Sequence, residues 1–80
     1  MDNTWQYKFG KHTITVKNGK ATELYVDDKL QDRKTGISMN AVLTGKLETG
    51  EAIKASLGGL LKVECSLFVD NVLQKPYKMH

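Results

Sequence analysis

The chain repeats itself. Leu24-Tyr25-Val26-Asp27-Asp28-Lys29-Leu30-Gln31 returns as Leu67-Phe68-Val69-Asp70-Asn71-Val72-Leu73-Gln74, and a β-patterned run ending in glycine precedes each copy: Ile14 to Gly19, then Ile53 to Gly58. The second copy carries a longer stretch between that glycine and the shared motif. A duplicated unit of about three strands has an apolar face that neither copy buries alone, and each copy covers the other. The repeat therefore predicts an antiparallel β-sandwich with two pseudo-repeated halves.

Alternation elsewhere supplies the strands. Trp5, Tyr7 and Phe9 alternate with Gln6 and Lys8; Ile14 and Val16 alternate with Thr13 and Thr15. Leu61, Val63, Cys65, Leu67 and Val69 form the clearest period of two, and Ile37, Met39, Ala41 and Leu43 supply another. Asn18-Gly19 predicts a hairpin. A strict two-residue loop there sets Glu23 opposite Ile14, so a bulge or longer loop at 18–20 is expected, placing Leu24 opposite Ile14 and keeping Ile14, Val16, Leu24 and Val26 on one face. Leu30 to Arg33 reads as a short strand, and Val72 to Tyr77 as a last one that Pro76 confines to an edge. The total is about eight short strands, an all-β fold. Residues 51–57 also have helical propensity, with Ile53 and Leu57 four apart, so the alternative is α+β with a short helix there; the repeat favours strand.

Eighty residues make a single domain, 1–80, and a chain of this length buries only about 60 to 65% of its unfolded surface. One cysteine, Cys65, allows neither an internal disulfide nor a thiolate cluster for zinc. No apolar run approaches a membrane span, and the first residues lack a signal-peptide pattern, so a cytoplasmic location is expected with no membrane partner. The net charge of +3 comes from eleven lysines and one arginine, Arg33, interspersed with acids. Nucleic-acid binding is the less favoured partner reading because arginine is scarce.

No phosphate-cradling loop, zinc-binding His-Glu-x-x-His, Gly-x-Ser-x-Gly or Cys-x-x-Cys occurs, so no catalytic, cofactor or metal residue is assigned. Cys65 falls on the apolar face of its strand, where an inert buried thiol is expected. His12, in phase with Ile14 and Val16, should rim the core. Asp27, Asp28, Asp32 and Asp70 read as turn residues rather than a calcium loop. Tyr25 and Phe68 hold equivalent places in the repeat but are out of phase with the core residues around them. They fill a second small core, stand as lone exposed rings or belong to an interaction surface, and Trp5 and Tyr7, each with a polar handle, are candidates for the same surface.

These residues resemble the domain of the Fas apoptotic inhibitory molecule family, an all-β sandwich. The features that carry the resemblance are Trp5, His12-x-Ile14-x-Val16, Gly19-Lys20, Leu24-Tyr25-Val26-Asp27-Asp28, Arg33, Leu43-x-Gly45-Lys46 and Leu67-Phe68-Val69-Asp70. The family carries glycine where Asp28 and Asn71 stand, and a longer first hairpin. The resemblance implies a non-enzymatic domain that acts through protein contacts. The expected function is thus a non-catalytic interaction or binding module, either with a protein partner or as a homodimer. The rivals are a small nucleic-acid-binding β-domain and, behind it, a small ligand-binding protein.

Overall fold

The structure is a computed structural model that describes residues 3–35, 40–59 and 62–79. Among these residues nine strands follow in order: β1 (Asn3–Phe9), β2 (His12–Asn18), β3 (Ala21–Val26), β4 (Lys29–Thr35), β5 (Ala41–Lys46), β6 (Ala52–Gly58), β7 (Glu64–Val69), β8 (Val72–Gln74) and β9 (Lys78–Met79). They form two antiparallel sheets, β4-β3-β2-β1-β9 and β5-β6-β7-β8. The all-β expectation holds, and 51–57 contributes a strand rather than a helix. Parts of the expected fifth and clearest strands, at Ile37, Met39 and Leu61, lie outside the described residues.

The repeat is larger than the expected three-strand unit. Each half is a four-strand meander, with β1 to β4 matching β5 to β8. Ile14 pairs with Val26 in one half as Ile53 pairs with Val69 in the other. Both repeated turns are tight two-residue connections whose central residues all have positive φ: Asp27 at 48°, Asp28 at 67°, Asp70 at 48° and Asn71 at 66°. That is the pattern of a type I′ turn, whose twist suits a hairpin, and Asp and Asn adopt it at less cost than other side chains.

Asp at the first turn position does more than tolerate the backbone. The Asp27 amide donates to the Thr13 carbonyl at 2.8 Å, while the Thr13 amide donates to Asp27 Oδ1 at 2.9 Å. Asp70 clasps Ala52 in the same two-point way, at 2.8 Å for each bond. The carboxylate supplies the acceptor at the point where the chain leaves the ladder and turns back. One more pair is thereby added to each sheet.

The first hairpin differs from expectation in a way that left the core unaffected. Val26, not Leu24, lies opposite Ile14, and Leu24 lies opposite Val16. The shift is two residues, so side chains keep their faces. The longer loop is present, with 19–21 beyond the last pair Asn18↔Thr22, and a bulge falls in β4, where the pairing passes from Tyr25↔Leu30 to Leu24↔Asp32 and leaves Gln31 extra. That bulge turns β4 toward β5. A Cβ added at Gly45 would lie 3.1 Å from the Gln31 Cβ, and the Thr44 amide donates to Asp32 Oδ2 at 3.0 Å, so the sheets are stitched along this side.

The core lies between the sheets: Trp5, Tyr7, Ile14, Val16, Leu24 and Val26 from one, Leu43, Leu47, Ile53, Ala55, Leu57, Leu67 and Val69 from the other. Val72 to Tyr77 is not one strand, because β8 stops at Gln74 and the chain crosses through Pro76 to place β9 beside β1. Proline, lacking an amide hydrogen, ends the ladder there.

Candidate functional site

The residues singled out by sequence separate into two sets. Trp5 and Tyr7 are not surface residues: they are 7% and 1% exposed and fill the core. Their indole and phenol suggested a wet surface, but the alternation with Gln6 and Lys8 governs, and it turns the larger apolar bodies inward. Tyr25 and Phe68 do point outward, on the outer faces of different sheets, and both are half-buried. They form two separate features.

Each outer ring has a leucine across the strand. Tyr25 pairs with Leu30 and Phe68 with Leu73, and these leucines are 52% and 60% exposed. Leu30 and Leu73 were missed as surface residues, although the repeat contained both. Read as a hairpin closed at Asp27-Asp28 or Asp70-Asn71, it sets each aromatic opposite its leucine. On the second sheet Val42, 47% exposed, adds to the outer apolar surface, with Lys46, Lys54 and Glu64 the charged residues on that face.

The Tyr25 surroundings are more polar. The Lys17 ammonium lies 5.2 Å from its ring centre, and Arg33 Nε lies 3.5 Å from Glu23 Oε2. Partial desolvation, then the hydrogen bond to Glu23, pushes the Tyr25 phenol above its ordinary range. At the other end of the sheet Tyr77, 51% exposed, carries the Lys8 ammonium 4.9 Å from its ring centre. The Tyr77 amide donates to the Gln6 carbonyl at 2.9 Å, fixing the ring near the outer face.

Three other positions bear on chemistry. His12 Nδ1 lies 2.7 Å from Asp27 Oδ2, and this contact, with the Thr13 amide, holds the Asp27 carboxyl below its ordinary range. Cys65 is half-buried at the margin of the core, and burial pushes its thiol up, away from the thiolate that a nucleophile needs. Beside it the Tyr7 hydroxyl is buried without a hydrogen-bond partner, and burial, with the thiol as neighbour, raises its phenol far above the ordinary value. Among the described residues no group of three His, Cys, Asp or Glu side chains is placed to hold a metal ion, and no helix is long and apolar enough to cross a membrane.

Comparison with protein families, with curated proteins and with solved structures gives no match.

Proposed function

We propose that the protein is a non-catalytic binding module whose outer sheet faces engage a protein partner or a second copy of the chain. One observation carries this reading: an aromatic-leucine pair stands at the same register position in both halves and faces away from the core. Core packing accounts for the inward residues of the repeat but does not require these outward ones. Rings of this kind are the anchors that interfaces use. The resemblance to the Fas apoptotic inhibitory molecule domain agrees with a non-enzymatic module, and a reducing, cytoplasmic setting suits a chain with one cysteine.

The test is the double substitution Tyr25→Ser with Phe68→Ser. Cross-strand pairs on an open face contribute about 0.2–1 kcal/mol each, whereas truncating a packed core aromatic costs about 3–5 kcal/mol. The double variant should keep a cooperative melt while its sedimentation shifts toward the monomer or its partner capture weakens. A collapsed melt would mean that the rings fill a second core. An unchanged melt with unchanged mass and binding would mean that the faces are idle.

A further inference from the structure

The two outer faces differ in charge. Along the outer face of the first sheet stand four cations, Lys8, Lys17, Arg33 and Lys78, and one carboxylate, Glu23, which Arg33 already engages. That excess of three equals the net charge of the whole chain. The same face carries Tyr25 and Tyr77, each with a lysine ammonium over its ring.

Strand register sets these groups in order. Leu30, Tyr25, Thr15, Gln6 and Lys78 are successive cross-strand neighbours, forming one row across the sheet. Lys17 and Lys8 flank the row on opposite sides, because they lie two residues from Thr15 and from Gln6 in opposite directions along the strands. Tyr25 stands in this row and Tyr77 just before Lys78 at its far end, so with strands about 4.8 Å apart the two rings are separated by roughly 10–15 Å, with Gln6 and the buried Thr15 between them.

We propose that this face binds single-stranded nucleic acid, the bases stacking on Tyr25 and Tyr77 and the phosphates meeting Lys8, Lys17, Lys78 and Arg33. An ammonium over a ring within about 6 Å is held by the ring's negative face. A base that takes that face releases the lysine toward the adjoining phosphate, so one local rearrangement serves both contacts. Rings alternating with cations match a strand that alternates base and phosphate. An acidic peptide supplies the anions but nothing flat for the rings, and a membrane surface would want an apolar group where Gln6 stands. The inference rests on the reading above only in taking the outer faces as binding surfaces; it assigns nucleic acid, in place of a protein or a second copy, to the first of them.

Fluorescence anisotropy with labelled oligo-dT and oligo-U tests it. Binding should weaken between about 50 and 200 mM salt, with a slope of log K against log salt near −2.8 if all four cations engage. Tyr25→Leu with Tyr77→Leu should weaken binding about ten-fold or more with the salt slope unchanged. Lys8→Gln with Lys17→Gln should weaken it and reduce the slope by about 1.4. Lys46→Gln with Lys54→Gln, on the second sheet, should leave both readings near wild type, and thermal melts confirm that each variant folds. The proposal is overturned by no binding at low salt, by ring variants that bind as wild type does, or by tighter binding of poly-glutamate or of phosphatidylserine vesicles. Failure here with self-association or partner capture intact removes the nucleic-acid assignment and leaves the broader reading standing.

Discussion

Tyr7→Phe should stabilise this protein, contrary to the usual result for a buried tyrosine. The side chain is 1% exposed, and its oxygen has no partner of normal hydrogen-bond geometry, only the neighbouring Cys65 thiol, a weak one. A buried hydroxyl left unsatisfied costs about 1–3 kcal/mol in lost hydration, and removing it recovers that cost. Against this stands the loss of the oxygen's dispersion contacts, about 0.1–0.2 kcal/mol each for a handful of neighbours. The net gain is about 1 kcal/mol, which for a domain of this size raises the melting temperature by roughly 4–8 °C. Thermal and urea melts at neutral pH measure it, since the phenol is far from ionising there. The Cys65 thiol beside it interacts only weakly, because sulfur is a poor donor and acceptor. Cys65→Ser, which offers a stronger one, should therefore stabilise the wild-type background more than the Tyr7→Phe background, with a coupling of at least about 0.5 kcal/mol. A melting temperature that falls by several degrees in Tyr7→Phe would refute the reasoning, because it would show the hydroxyl to be satisfied.

Two further outcomes follow from the repeated turns. The Asp27 carboxyl is held below its ordinary value by His12 and the Thr13 amide, so its contribution is full above the unfolded-state value near 4 and is lost as pH falls through the lower folded value. Acid titration of Asp27→Asn, which keeps an acceptor for Thr13, should accordingly show a shallower loss of stability below about pH 4; an acid limb unchanged from wild type would contradict the assignment. Asp28→Gly should raise the melting temperature by a few degrees, because φ of 67° strains a side chain and not glycine, and Asn71→Gly should gain less, asparagine being the better tenant of that region. A lower melting temperature in Asp28→Gly would show that its side chain makes a contact worth more than the relieved strain.

The physics of a two-residue period explains what was legible from sequence. Alternation fixed which residues share a face, and that survived an error in register because Val26 and Leu24 lie two apart. It also placed the rings of Tyr25 and Phe68 outward. Nothing local announced the bulge at Gln31, since it answers the approach of Gly45 and Thr44 from a strand a dozen residues away. The break at Pro76 was misjudged for a similar reason: proline forbids a ladder bond, but whether the chain then stays at an edge or crosses to the other sheet depends on the free flank of β1. The polar tips of Trp5 and Tyr7 suggest solvent, but their phase in the alternation of β1 decides burial. Tyr77, paired with Lys8 across almost the whole chain, carried no local signal at all.

The meander topology has a kinetic consequence. Among the described residues every ladder except β1 with β9 joins strands that follow one another in the chain, so six of these seven pairings form by local closure. Sandwiches woven by long crossovers must close large loops before such contacts reward them, and they fold slowly for that reason. On this ground each half should zip from its own turns before the two halves dock. The β1 and β9 pairing, which brings Trp5 opposite Met79, closes the longest loop and is expected to form last. Loosening that last seam should hasten unfolding while leaving the folding rate almost untouched.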